Sequence, residues 1–254
     1  MDDPDDQRAR YPSLAGKRVL VTGGASGIGA GTVAAFVRQG AKVSFFDIAE
    51  DDGRAFAEQL GPSARFTTVD ATNISGLQGA IAHEINAAGA FDVLVNNAAS
   101  DDRHGIADVT EAYWDERFAV NLKHQFFCAQ AVIPGMRAKG GGAIINMGSI
   151  SWHLGLPDLT LYQTAKAAIE GLTRSLAREV GRDNIRVTCV IPGNIQTPRQ
   201  QRWYTPEGEA EIVAAQCLDG RLVPEDVAAM ILFLASDDAR LITAHNYWVD
   251  GGWR

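Results

Sequence analysis

From Lys17 onward, short runs of β-branched and aromatic residues alternate with segments of helical spacing, and this alternation restricts the fold more than any other feature of the chain. The strand-like runs are Lys17–Thr22 (KRVLVT), Lys42–Asp47 (KVSFFD), Arg65–Asp70 (RFTTVD), Phe91–Asn97 (FDVLVNN), Ala143–Ser149 (AIINMGS), Ile185–Ile191 (IRVTCVI) and a short Tyr247–Asp250. Between them, helices are predicted over Gly27–Gly40, Asp51–Leu60, Ser75–Ala88, Leu161–Val180, Pro206–Gln216 and Pro224–Ala235. One long helix is predicted over Glu111–Lys139, with a weak point at Pro134-Gly135. Apolar strands of this kind need cover on both faces, and helical crossovers between parallel strands supply it. The expectation is one α/β domain over residues 14–254, a doubly wound, Rossmann-like parallel sheet of about seven strands with helices on both faces. A flexible N-terminal tail over residues 1–13 precedes it.

The charge balance narrows the partners. The net charge is -8 and no Lys/Arg run stands out, so nucleic acid and anionic membrane are not expected partners. No stretch reaches the length of a membrane span, and the acidic first ten residues lack the apolar run of a signal peptide. Cys128, Cys189 and Cys217 are scattered and odd in number, so a disulfide framework is not expected and a reducing cytoplasm is.

The first strand runs into TGGASGIG at Thr22–Gly29, which then opens a helix. Glycines in that place let the backbone turn tightly and approach a pyrophosphate, while the helix N-terminus offers unpaired N–H groups. Gly23, Ser26, Gly27, Ile28 and Gly29 are therefore candidate nucleotide contacts, although glycines also mark ordinary turns. Asp47 ends the second strand, where a carboxylate accepts hydrogen bonds from ribose hydroxyls and repels a 2′-phosphate, favouring NAD over NADP. Asp70 ends the third strand in an equivalent place, or is a plain strand-end cap. Tyr162 and Lys166 are four apart on a predicted helix and share a face. A nearby ammonium would favour the phenolate and make the tyrosine a usable base, but amphipathic helices produce such pairs by chance. Ser149, closing the preceding strand, tips the reading towards chemistry.

Taken in order, Thr22–Gly29, Asp70-Ala71, Asn96-Asn97-Ala98-Ala99, Asn121, Ser149, Tyr162-Gln163-Thr164-Ala165-Lys166, and Pro192-Gly193 with Ile195 and Thr197 resemble the short-chain dehydrogenase/reductase family. Ala99 departs from the family, which usually has glycine there. The resemblance implies a catalytic set of Asn121, Ser149, Tyr162 and Lys166, with Tyr162 as base, Ser149 holding the reacting hydroxyl and Asn121 linking Lys166 to solvent through a water. It further implies cofactor contacts from Ala71, Asn96, Tyr162, Lys166, Pro192, Gly193, Ile195 and Thr197, and a homo-oligomer, a tetramer by family analogy. Within the family, Asp101–His104, Tyr113–Arg117, Ser149–Gly155, Tyr204–Ala210 and Tyr247–Arg254 resemble bacterial NAD-dependent aldose 1-dehydrogenases. That implies oxidation of the C1 hydroxyl of an aldose, D-xylose or a related pentose, to an aldonolactone.

Substrate contacts are expected from Ser149, Trp152, His153, Tyr162, Asn194, Trp203, Asp101 and His104, because aromatic faces and polar groups together suit a polyhydroxylated ring. Loop packing is the plain alternative for each. The histidines lack ligand partners at metal spacing, so no metal is expected. A carbonyl reductase or alcohol dehydrogenase for a non-sugar substrate is the competing enzyme. A cofactor-sensing regulator is the competing non-enzyme, against which the full set Ser149, Tyr162, Lys166 and Asn121 counts.

Overall fold

Strand β1, Arg18–Thr22, is buried at four of its five residues, so it must lie inside the sheet and carry helices on both sides. In the computed structural model, which describes residues 8–201 and 204–253, that is its place. The other strands are β2 Lys42–Asp47, β3 Ala64–Thr68, β4 Val93–Asn96, β5 Gly142–Met147, β6 Ile185–Pro192 and β7 Asn246–Val249. All pair in parallel, in the order β3-β2-β1-β4-β5-β6-β7. The order reverses at β1 and β4, where Thr22 stands in register with Asn96, and the crevice of a doubly wound sheet opens at such a point.

The two-residue period of the central strands β1, β4 and β5 feeds two separate cores. Val19 and Val21 join Val93, Val95, Ala143 and Ile145 on one face. Leu20, Leu94 and Ile144 point to the other. The first face is covered by α1 (Gly27–Arg38) packed on α10 (Pro224–Ala235), with Val33, Phe36, Val227 and Ile231 beneath, and by α2 (Glu50–Leu60) at the edge. The second is covered by α3 (Ile74–Ala88), α5 (His124–Lys139) and α7 (Thr160–Val180), through Leu77, Ile81, Val132, Met136 and Val180. Each such side chain contributes about 1.5–3 kcal/mol through burial.

Some expectations need correcting. The helix expected over Glu111–Lys139 is α4 (Glu111–Phe118), a π turn (Ala119–Lys123) and α5; Pro134 lies inside α5 without ending it. The break falls at Asn121, whose side chain bonds the loop after β4 and draws the helix open. Ile231, Leu232 and Leu234 are core against α1 and the sheet. Residues 8–13 do not form a free tail: Tyr11 N–H donates to Gln39 Oε1 at 2.8 Å, Gln39 Nε2 donates to Ala9 O at 3.0 Å, and Leu14 next to them is fully buried. Two short helices that the periodicity did not indicate, α6 (Ser151–Leu154) and α8 (Pro198–Gln201), follow β5 and β6, and α9 is Pro206–Ala214. No helix among the described residues is long and apolar enough to cross a membrane.

Candidate active site

At the C-terminal ends of β1 and β4 the backbone itself shapes a cleft of about 530 Å³. Gly23 has φ +67°, and a Cβ there would lie 2.7 Å from Ala98 Cα. A Cβ on Gly29 would lie 1.8 Å from Gly23 O, so only glycine lets α1 start this close to the turn. Thr22 Oγ1 accepts from the N–H groups of Asn97 (3.0 Å) and Ala98 (3.1 Å), and Asn97 Nδ2 donates to Gly23 O at 2.8 Å, lacing the loop after β4 to the glycine turn. α1 begins after Ser26 with no side-chain cap and no acidic residue in its first turn, which leaves its positive end open to an anion.

Gly23, Ser26, Gly27, Ile28, Gly29, Asp47, Asp70, Ala71, Tyr162 and Thr197 all line this cleft. Asp47 reaches back: its carboxylate accepts from Ala25 N–H at 3.0 Å and Ala49 N–H at 3.1 Å. Asp70 Oδ1 accepts from Thr72 N–H at 2.8 Å, so it is both a turn cap and a wall. The cradle, the open helix end and the carboxylates of Asp47 and Asp70 on the cleft wall fit a dinucleotide. Asn96 is the exception among the expected contacts. It is fully buried, and its Nδ2 donates to Gln125 O (3.2 Å) and Asn146 Oδ1 (2.9 Å); its neighbour Asn97 lines the cleft instead. The strand alternation turns Asn96 inwards.

A second cavity of about 240 Å³ adjoins the first, sharing Tyr162, Thr197 and Asp101. Ser149, Tyr162, Lys166, Pro192, Gly193, Asn194 and Ile195 meet there. Ser149 Oγ donates to Ser151 Oγ at 2.9 Å. Burial pushes the Tyr162 phenol up to about 12; the neighbouring Ser149 hydroxyl opposes this, the Asp101 carboxylate reinforces it and Arg199 opposes it. Lys166 is buried, its Nζ donates to Met147 O at 2.8 Å, and burial brings it down to about 8. Its Nζ sits 5.4 Å from the centre of the Tyr162 ring. Burial of both groups disfavours their charged forms, so in the protein alone desolvation works against the lowering expected from Lys166. Asn121 is fully buried; its Oδ1 accepts from Ser100 N–H at 2.9 Å and its Nδ2 donates to the carbonyls of Ser100 (2.9 Å) and Arg117 (3.0 Å).

The expected substrate contacts divide. Asp101 lines both cavities; its carboxylate takes Arg199 Nη2 at 2.9 Å and Gln200 Nε2 at 2.8 Å. Asn194 lines the second cavity, and its Oδ1 accepts from Tyr204 Oη (2.5 Å) and Arg221 Nη2 (2.9 Å). Trp152 and His153 do not line it. Trp152 Nε1 donates to Glu170 Oε1 at 2.7 Å and His153 Nε2 meets the same oxygen at 2.9 Å, because α6 turns them back onto α7. His104 lines neither cavity; its N–H donates to Asp158 O at 2.9 Å and its ring packs on Tyr113. Trp203 lies outside the described residues. Sequence reasoning missed Gln200, Leu154, Leu159 and Trp253 on the cavity wall; the short helices α8 and α6 carry no periodic signal that marks the first two, and the other two lie outside every helix and strand. Ala99, which lines both cavities, has no left-handed backbone, so its methyl group is accommodated where a glycine was expected.

The family described as enoyl-(acyl carrier protein) reductase matches residues 23–254. The chain is 64% identical over 249 residues to a D-xylose 1-dehydrogenase of Caulobacter vibrioides, covering 97% of this chain and 99% of that protein. It is 47% identical over 249 residues to a probable galactose dehydrogenase, GalD, of Rhizobium meliloti, covering 96% and 97%. A solved structure of a short chain dehydrogenase/reductase family protein superposes with a TM-score of 0.84 at 33% identity, covering 94% of this chain and 98% of that one. With likeness of this extent in both sequence and fold, the chain belongs to the short-chain dehydrogenase/reductase family, whose members act on small-molecule substrates with a nicotinamide cofactor.

Proposed function

We propose that this protein is an NAD-dependent aldose 1-dehydrogenase, with D-xylose the first candidate, that oxidises the C1 hydroxyl to an aldonolactone. One observation carries the chemistry: Ser149, Tyr162 and Lys166 meet where the nucleotide cleft opens into a second cavity. The sugar is suggested by the Caulobacter vibrioides relative, a D-xylose 1-dehydrogenase 64% identical to this chain.

When bound, the nicotinamide supplies the hydride acceptor. Ser149 Oγ holds the C1 hydroxyl, and the Tyr162 phenolate takes its proton as the C1–H bond breaks and the C1–O double bond of the lactone forms. Lys166 lies behind Tyr162 and would hold the ribose beside it. Asn121 fixes the π turn against the loop after β4 and would hold a water that links Lys166 to solvent and takes the proton onward. Asp101 and Gln200 offer an acceptor and a donor for ring hydroxyls.

The preference for NAD rests on charge. Asp47 and Asp70 stand at the adenosine end of the cleft, and Arg199, its one cationic lining residue among those described, stands at the other end beside Asp101. A 2′-phosphate would meet carboxylates and no cation. A homo-oligomer in the cytoplasm fits the exposed Trp114 and Phe126 of α4 and α5 and the unpaired cysteines. The apolar wall of Leu154, Leu156 and Leu159 favours a second reading, a non-sugar secondary alcohol. Reduction of NAD⁺ and NADP⁺ is measured with xylose, arabinose, galactose, glucose, methyl xyloside and a cyclic secondary alcohol. Turnover of free aldoses but not of the methyl glycoside supports the proposal; activity on the alcohol alone rejects it.

A further inference from the structure

Arg221 lines neither cavity, and its side chain is only 11% exposed, yet its guanidinium gathers three residues behind the wall of the second cavity. The residue after it sets its place. Leu222 pairs with Ile195 in a short parallel bridge, and Leu222 O accepts from Gln196 N–H at 2.8 Å, which holds Arg221 beside Asn194. Arg221 Nη2 donates to Asn194 Oδ1 at 2.9 Å and to the Tyr204 hydroxyl at 3.0 Å, and the guanidinium lies 4.6 Å from the centre of the Tyr204 ring. Nη1 stands 2.6 Å from Glu209 Oε1 of α9, an ion pair off the line of a hydrogen bond. The Tyr204 hydroxyl in turn donates to Asn194 Oδ1 at 2.5 Å. Burial raises the Tyr204 phenol above the ordinary tyrosine value in spite of the Arg221 bond, so the hydroxyl keeps the proton that it donates.

Two donors on one oxygen settle which way the Asn194 amide faces, because a flip would set the amide protons against those of the guanidinium and the phenol. Oδ1 is thereby filled. Among the described residues Nδ2 has no partner, although Asn194 stands on the cavity wall with Asp101 and Gln200. We propose that Arg221, with Tyr204, is a positioning residue for substrate specificity: it locks the Asn194 amide so that Nδ2 is presented to a substrate oxygen as a hydrogen-bond donor. The proposal rests on the dehydrogenase reading above and deepens it, since a donor held in this way favours a polyhydroxylated substrate over a plain alcohol. A site built to bond an oxygen rejects the analogue without it far more strongly than an apolar pocket rejects a small change of shape.

The test measures kcat/KM for xylose and for its three monodeoxy analogues at the other hydroxyl-bearing carbons, together with KM for NAD⁺. The proteins compared are wild type, Asn194→Ala, Arg221→Met and the double variant. The wild type is expected to disfavour one analogue by about tenfold or more. Arg221→Met keeps an apolar stem but loses the guanidinium; it is expected to shrink that gap to about threefold or less, with the other gaps and KM for NAD⁺ unchanged. Asn194→Ala is expected to shrink the same gap, and the double variant to be no worse than Asn194→Ala, because both substitutions remove one interaction. The proposal is overturned by a wild type that disfavours no analogue, by an unchanged gap in Arg221→Met, or by a double variant whose loss is the product of the two single losses. A merely structural role lowers kcat/KM for every sugar alike and moves no gap. If Arg221→Met does not fold, Tyr204→Phe, which removes one of the two donors and keeps the ring, is expected to shrink the same gap, and an unchanged gap overturns the proposal. If the wild type turns over no aldose, the sugar reading fails on its own, and the comparison is made between the best alcohol and its counterpart lacking the oxygen nearest the reacting carbon.

Discussion

The nucleotide cleft and the cavity beside it are built by opposite means. The cleft is mostly backbone: a glycine turn, the open end of α1 and the main chain of the loop after β4, laced through Thr22 and Asn97. The cavity is mostly side chains delivered from separate elements: Ser149 after β5, Tyr162 and Lys166 from α7, Asn194 after β6 and Gln200 from α8. A backbone-built region is specific to a shape that many nucleotides share. A side-chain-built region holds the reaction, and single substitutions there remove chemistry without changing the fold.

The largest effect should come from the cavity. Tyr162→Phe removes only the hydroxyl and should lower kcat by about 10²–10⁴ while NADH binding, followed by fluorescence titration, stays near wild type. If cofactor binding falls with kcat, the two regions are not separable. Tyr162 also predicts a pH dependence. In the proposed mechanism the base is the phenolate, so activity should rise with pH; in the free protein, burial holds the phenol up at about 12. With NAD⁺ bound, the positive ring favours the phenolate, so the midpoint of kcat/KM for substrate should fall below the usual tyrosine value of about 10. Equal midpoints with the cofactor-free protein, read from phenolate absorbance, would remove the cofactor's share in tuning the base.

Next comes the support behind the cavity wall. Glu170 bonds Trp152, His153 and Asn246, and Glu170→Ala leaves buried partners unpaired, a destabilisation of about 1–3 kcal/mol in denaturant unfolding. Because α6 follows Ser149, KM for the sugar should rise while KM for NAD⁺ holds; a rise in the NAD⁺ value alone would contradict this. In the cleft, the proposed preference for NAD⁺ over NADP⁺ should be at least about tenfold in kcat/KM, or about 1.4 kcal/mol, and Asp47→Ala should narrow it. An unchanged ratio would show that backbone shape alone selects the cofactor. The smallest effect is expected at the rim: Arg199 bridges Asp101 and Asp102 at 2.9 and 2.7 Å, but the groups are substantially exposed. Arg199→Ala should cost less than about 1 kcal/mol of stability.

The same contrast explains what could be read in advance. Strand runs, the crossover helices and TGGASGIG are local patterns, and local patterns survive into the structure: the parallel sheet, the turn at Gly23 and Gly29, and the pairing of Tyr162 with Lys166 on one helical face all followed from spacing. The substrate wall depends on where non-periodic loops come to rest. Trp152 and His153 looked suited to a sugar by residue type, yet the turn of α6 and the carboxylate of Glu170, eighteen and seventeen residues further on, hold them away from the cavity. Nothing in the neighbouring residues carries that information. Asn96 shows the same limit at the scale of one residue, since the side of the strand it faces decided between it and Asn97.

The π turn at Ala119–Lys123 amounts to a wide step in an otherwise continuous helical path from Glu111 to Lys139. Each α-helical residue advances the helix by about 100°. Deleting one residue from the turn would let the backbone close into ordinary α-helix, but it would also rotate everything after it relative to the sheet. Cys128, Val132 and Met136, all now inside the core, would swing towards its edge, and Asn121 and His124 would no longer keep their present phase with Lys166. The segment is thus a frame-sensitive stretch of protein, where length matters more than composition. Substitutions at Val120 or Lys123 should be far easier to absorb than the loss or gain of a single codon.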